Sequence, residues 1–405
     1  VGDSVTAPAA PAETGVALPG VAVPGVALPG VWAEVVGQDA QLAPLRAAVD
    51  RPVAMTHAWL ITGPPGSGRS HAARAFAAAL QCKRGGCGEC KACKTALTSA
   101  HADVTLLATE KVTIGIEEVR GLSMLAQRAP SEGRWRVIII EDADRMTERT
   151  SNVLLKAIEE PPPRTVWLLC APHAHDVSVT IRSRCRVVAL RTPPADVVAK
   201  LLVERDGVEP DLAYECALAA QSHIGIARRL ARDPKARARR DQVLALATEV
   251  RGVGDAVLAA ADLVAVAEDD AAAATEERDA NEKAELLAVL GADTGTIPPA
   301  LRAQVRELEE DQKRRATRHK RDVLDRAMTD LMSLYRDVAA VQLGADTELI
   351  NVAHEGRIRE LAARTDLPGT MARIDALGTA RERLSANVHP LLAIEAMILA
   401  LRPRN

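Results

Sequence analysis

Residues 63–70, Gly63-Pro64-Pro65-Gly66-Ser67-Gly68-Arg69-Ser70, have the composition of an anion cradle. Gly66 and Gly68 leave room for backbone N–H groups to face an oxyanion, and an Ala-rich helical stretch follows whose N-terminal end adds positive charge. The apolar run Ala58 to Ile61 predicts a buried strand just before the loop. Strand, glycine-rich loop and helix together make the layout of a phosphate-binding P-loop. Gly63, Gly66, Ser67, Gly68, Arg69 and Ser70 are therefore the candidate contacts to a nucleotide's phosphates, ATP or ADP, with the Ser70 hydroxyl placed for Mg²⁺. Arg69 stands where the motif expects lysine. It keeps the charge, but a planar fork does not thread between β- and γ-phosphates as a compact ammonium does. The plain alternative is a Gly/Pro turn joining strand and helix.

Two further groups could do chemistry. Arg136 to Asp144, RVIIIEDAD, is a β-branched run ending in acids. It predicts a central parallel strand that delivers Glu141 and Asp142 to the sheet's C-terminal edge, where a Mg²⁺-organising acid belongs in a P-loop protein. Cys82, Cys87, Cys90 and Cys93 lie within twelve residues among Gly85, Gly86 and Gly88. Tight turns at that spacing suit a tetrahedral zinc site, closed and hence structural; unmetallated or redox thiols are the alternative. Cys170, Cys185 and Cys216 are scattered and expected to be unligated.

Two basic segments leave two readings each. Val179 to Arg186, VTIRSRCR, reads as an exposed basic turn, either merely solvated or carrying a catalytic arginine. Lys313, Arg314, Arg315, Arg318, His319, Lys320 and Arg321 lie on a predicted helix beside Glu307, Glu309, Glu310 and Asp311. Intrahelical pairing favours a solvated face over a contact to DNA phosphates.

The elements that must position these groups follow from periodicity. Asp39–Asp50, Ile114–Ala126 and Thr147–Glu160 have helical spacing, the last closed by Pro161-Pro162-Pro163. Thr165–Ala171 predicts a buried strand and Val187–Leu190 a further strand. Beyond Pro193 helical patterns dominate, with an Ala/Asp/Glu-rich stretch at 268–285, a turn-rich break at 291–299 and one long helix or two over 301–343. The expected division is a Pro/Gly/Val/Ala tail at 1–30 without the basic region of a signal peptide, an α/β nucleotide-binding core at 31–192, a small helical bundle at 193–241 and a larger helical region at 242–405. Only seven of 405 residues are aromatic and the apolar set is mostly Ala, Val and Leu, which favours packed helices. A net charge of −3 demands no polyanionic partner for the chain as a whole. Seven cysteines in this length are no secreted disulfide framework, and no apolar run reaches the roughly 18–20 residues of a membrane span, so a cytoplasmic protein is expected.

The ordered set VWAEVVGQ, GPPGSGRS, the four-cysteine insert, VIIIEDADRM, NVLLKAIEEPPP and TIRSRCR resembles the bacterial clamp-loader subunits of the AAA+ class, strongly over about residues 31–240. The C-terminal helices match more loosely, and the Ala/Arg/Val bias fits a high-GC actinobacterial genome. The resemblance implies an AAA+ core with a zinc module, a helical lid carrying Arg228 as a nucleotide contact, and an all-α collar. It also implies a hetero-pentamer with motor and delta subunits that loads a sliding clamp onto primed DNA, independently of base sequence. In such rings one subunit's Ser-Arg-Cys motif, here Ser183-Arg184-Cys185, supplies an arginine finger to its neighbour's ATP. Three departures point to the delta-prime kind, which hydrolyses little itself: Arg69, the order Glu141-Asp142 rather than Asp-Glu, and Cys170-Ala171-Pro172 where a polar phosphate sensor is usual. The alternatives are a self-hydrolysing motor subunit, a purely structural zinc scaffold and, less well matched, a zinc-finger DNA reader.

Overall fold

A computed structural model describes residues 30–109, 113–250, 252–289, 302–386 and 388–402. The expected tail up to residue 29 and the turn-rich break at 291–299 lie outside the described residues. The first unit runs α1 (Asp39–Asp50), β1 (Ala58–Thr62), α2 (Arg69–Gln81), α3 (Lys91–Leu97), β2 (Val104–Leu107), α4 (Ile116–Ala126), β3 (Arg136–Ile140), α5 (Glu148–Glu159), β4 (Thr165–Ala171), α6 (Val179–Arg182) and β5 (Arg186–Ala189). All strand pairs are parallel, in the order β2-β3-β4-β1-β5. Strand β3 is an interior parallel strand, as the sequence suggested, with β4 beside it in the middle of the sheet; β1, β3 and β4 are all buried along their whole length.

Alternate residues of these strands serve two cores, as a period of two requires. Trp59, Ile61, Val137, Ile139, Val166 and Leu168 pack on the α1–α2 face. Ala58, Leu60, Ile138, Ile140, Trp167 and Leu169 pack on the α4–α5 face. Helix α2 can lie flush on the sheet because its buried positions are mostly alanine. At the far end of β3, buried Arg136 pairs with fully buried Asp103 at 3.0 Å. Burial alone would raise the Asp103 carboxyl, but N–H groups of Ser131, Gly133 and Glu132 and the Ser131 hydroxyl outweigh it and hold it at about 2.

Helices α7 (Ala195–Asp206), α8 (Pro210–Ala219), α9 (Ile224–Arg232) and α10 (Pro234–Glu249) form a small bundle with its own core. Helix α10 runs unbroken through position 241 and also contributes Leu244 and Ala247 to the next core. That core gathers α11 (Val253–Val289), α12 (Arg302–Gln342), α13 (Glu355–Arg364), α14 (Leu367–Ser385) and α15 (Pro390–Leu401). The Ala/Asp/Glu-rich stretch lies in α11, and the 301–343 pattern resolves as one helix. Buried Arg240 of α10 is held by Asp330 of α12 at 3.1 Å and by Asn351 at 2.5 Å, a polar staple between the two helical units. Among the described residues no helix is long and apolar enough to cross a membrane.

Candidate functional site

The phosphate loop leaves β1 at the C-terminal edge of the sheet, beside β4 and β5, where the chain connections diverge. Gly63 N–H donates to the Pro172 carbonyl at 3.0 Å, tying the loop to the end of β4. Gly66 and Gly68 have φ of +83° and +90°, open to glycine and strained for other residues. Gly66 has a second reason to be glycine, since a Cβ there would lie 2.5 Å from Cγ of His223. Ser67 is buried, and its hydroxyl has no hydrogen-bond partner. Ser70 lies half-buried in the first turn of α2. The Arg69 guanidinium folds back to donate to the Gly63 carbonyl.

Strand β3 delivers its acids to the same edge, and arginines hold both. Glu141 Oε1 takes Arg74 of α2 at 3.0 Å. Asp142, at φ +54°, takes Arg145 at 3.6 Å and Arg318 of α12 at 3.3 Å. Arg318 also donates to the Thr109 carbonyl after β2. Burial raises the Asp144 carboxyl, with Asp142 adding to the effect, and its Oδ1 has no hydrogen-bond partner. At the end of β4, burial pushes the Cys170 thiol up to about 12, leaving an inert side chain there.

Sequence reasoning missed Arg74 and Arg145, which hold the acids, and His223 beside the loop. The residue of the helical bundle that meets the phosphate loop is His223, the N-cap of α9, whose Nδ1 accepts from Ile226 N–H at 3.4 Å. Burial, with Arg326 and Arg69 nearby, lowers its pKa and favours the neutral ring. Arg228 instead belongs to an internal clamp, in which it and Arg232 grip Asp206 at 2.7 and 2.5 Å. The helical basic cluster is less solvated than its spacing implied. Arg314 pairs along α12 with Glu310 and Asp311, but Arg315 crosses to Asp279 and Glu282, Lys320 crosses to Glu268, and Arg318 reaches Asp142.

Ser183-Arg184-Cys185 lies elsewhere. It follows α6 and precedes β5, so it sits at the sheet's N-terminal edge. Arg186 is level with Trp59 at the start of β1, while the phosphate loop starts at Gly63, about 13 Å further along the strand direction at about 3.3 Å per residue. The Arg184 side chain is 39 % exposed and pairs with Glu159 at the end of α5 at 2.6 Å. Its Nη1 donates to the Thr180 carbonyl at 2.8 Å and to Ser183 Oγ at 3.2 Å. Burial raises the Cys185 thiol to about 12, so that side chain acts as packing below the exposed arginine.

The four cysteines of the insert do converge. Cys82 and Cys87 Sγ are 3.7 Å apart, Cys82 and Cys90 3.8 Å, and Cys87 and Cys93 4.0 Å. Tetrahedral Zn–S bonds of about 2.3 Å put sulfurs about 3.8 Å apart, so the donor set fits a four-coordinate metal of that size. Burial alone would raise the Cys82 thiol, but N–H groups of Cys87, Gly86 and Arg84 bring it down to about 6.

The family comparison falls on the sheet unit. The family described as DNA polymerase III, delta subunit, matches residues 38–194. A DNA polymerase III subunit gamma/tau of Mycobacterium tuberculosis is 34 % identical over 188 residues, 44 % of this chain and 32 % of that protein. A DNA polymerase III subunit delta' of Pseudomonas aeruginosa is 36 % identical over 169 residues, 40 % of this chain and 52 % of that protein. The chain thus spans between about a third and a half of the length of these relatives. A gamma subunit-related protein of Thermotoga maritima superposes with a TM-score of 0.40 at 16 % identity, over 90 % of this chain and 99 % of that one. Over residues 38–194 the chain is therefore similar to DNA polymerase III subunits of the delta, delta' and gamma/tau kinds.

Proposed function

We propose that this chain is the delta-prime-type subunit of a bacterial clamp loader, an AAA+ protein that stimulates a neighbour's ATP hydrolysis and performs little itself. The observation that carries the reading is the separation of two arginine-bearing sites on one sheet. Arg184 is exposed at the N-terminal edge, while both acids beside the chain's own phosphate loop are already occupied by Arg74, Arg145 and Arg318. An arginine that faces outward from the edge opposite its own loop can serve only a nucleotide held by another subunit. There it would place fixed positive charge against the terminal phosphate as negative charge redistributes. Ser183 and Glu159 would hold the guanidinium ready until that stronger anion is offered.

In this reading residues 63–70 cradle a nucleotide, His223 closes the lid on the loop, and the four cysteines hold a structural zinc. The C-terminal helices join motor and delta subunits in a hetero-pentamer of the cytoplasm. The ring would open a sliding clamp and release it on primed DNA, touching phosphates rather than bases. The test is DNA-stimulated ATPase of a reconstituted loader carrying Arg184→Ala, with assembly followed by gel filtration. A finger is worth about 10³–10⁵ in rate at the site it serves, so turnover at the neighbouring motor should collapse while the complex still forms. Unchanged turnover in an intact complex would leave the zinc-scaffold reading in its place.

A further inference from the structure

Magnesium does not fit the acids at the phosphate loop. This ion needs near-octahedral oxygen ligands at about 2.0–2.1 Å and is usually anchored by one or two carboxylates. Glu141 carries Arg74 at 3.0 Å, and Asp142 carries Arg318 at 3.3 Å and Arg145 at 3.6 Å. Binding Mg²⁺ would therefore require stripping guanidinium groups from carboxylates that are more than two-thirds shielded from solvent.

Arg318 makes that stripping harder than a side-chain rotation. It bridges Asp142 and the Thr109 carbonyl, so its guanidinium satisfies groups from two strand ends at once. The helix that bears it is fastened on both sides. Arg326, two turns on, donates to the Ala219 carbonyl of α8 at 2.9 Å, and Arg315 is bound to Asp279 and Glu282 of α11. Arg69 donates to the loop's own Gly63 carbonyl, and Arg74, Arg145 and Arg318 sit on the acids beside it, so guanidinium groups stand where a metal ion would serve a pair of phosphates.

We infer that this phosphate loop takes its nucleotide without a divalent cation, with arginines of the chain, Arg318 foremost, in the place of Mg²⁺. The inference rests on the nucleotide-cradle reading of residues 63–70. It assigns the loop a ligand class, the metal-free nucleotide, and makes α12 part of the site. A bound nucleotide then stays unreacted, since no metal orients a water, and its phosphates report on the position of α12 through Arg318.

The test is a titration of the full-length zinc-loaded chain with a fluorescent ADP analogue, in excess Mg²⁺ and in excess EDTA applied only during the measurement. Equal affinity in the two conditions, within about twofold, is expected, a difference below about 0.4 kcal/mol. In the double variant Arg145→Gln/Arg318→Gln, which frees Asp142, Mg²⁺ should strengthen binding by about tenfold or more. Far-ultraviolet circular dichroism of the variant checks that α12 is intact. Wild-type binding that Mg²⁺ strengthens tenfold overturns the inference alone. No binding in either condition overturns the nucleotide cradle itself and the inference with it.

Discussion

At the scale of single residues, the most consequential side chains are those whose environment leaves no latitude. Asp103 is one. Its carboxyl is held at about 2 by three N–H groups and a hydroxyl, well below its value in an unfolded chain. A depressed folded pKa contributes stability that is present above the unfolded value, near 4, and is lost as pH falls toward 2. Asp103→Asn, which leaves Arg136 buried without a counter-charge, should cost about 3–5 kcal/mol at pH 7. At pH 3 the gap between wild type and variant in urea unfolding should narrow by about 1 kcal/mol; an equal gap at both pH values would remove Asp103 from the acid response. Gly66 is another. Gly66→Ala meets both a positive φ and the His223 ring, and should destabilise by about 1–3 kcal/mol. Gly121→Ala in α4 meets nothing within 4 Å and should instead stabilise by about 0.5–1 kcal/mol, so a pair of thermal melts separates backbone strain from a general dislike of alanine.

At the scale of elements, the cysteine insert works as part of the sheet unit rather than as an appendage. Cys82 ends α2, Cys93 lies in α3, and both are buried in the same core as Trp59 and Phe76. Removal of the metal should therefore lower the melting temperature of the whole sheet unit, not merely fray the insert. Cys93→Ala should lose the metal and the same stability together; a preparation with full stability and no zinc by elemental analysis would refute the site. Much at this scale was legible in the sequence. The bounds of α1 and of the strand at 165–171 follow directly from apolar spacing and from β-branched runs between turn residues. The β-branched run at 136–140 likewise marks an interior strand, and β3 does lie between β2 and β4. The link from α12 to the acid of β3, by contrast, was illegible. Arg318 and Asp142 are 176 residues apart, and the spacing of charges along α12 advertises only its local pairs, such as Arg314 with Glu310.

At the scale of the molecule, one sheet carries two sites of opposite character. Its C-terminal edge holds the glycine-rich loop 63–70 beside acids paired with arginines, with His223 of the helical bundle on one side and Arg318 of α12 on another. Its N-terminal edge exposes Arg184 in the turn between α6 and β5, where Glu159 and local oxygens hold it. The sequence suggested both sites, through Arg69 and Glu141-Asp142 on one side and Ser183-Arg184-Cys185 on the other. It could not say that they lie at opposite edges, which follows from the parallel pairing of β1 with β5. The measurement that separates the two sites most directly is DNA-stimulated ATPase of one reconstituted loader carrying either Arg184→Ala or Asp142→Asn in this subunit. Arg184→Ala should remove most of the turnover at the neighbouring site, by about 10³ or more there, while Asp142→Asn leaves the loader's rate unchanged. A collapse with Asp142→Asn and none with Arg184→Ala would mean that the chain is a motor in its own right, and the division of labour proposed for it would be wrong.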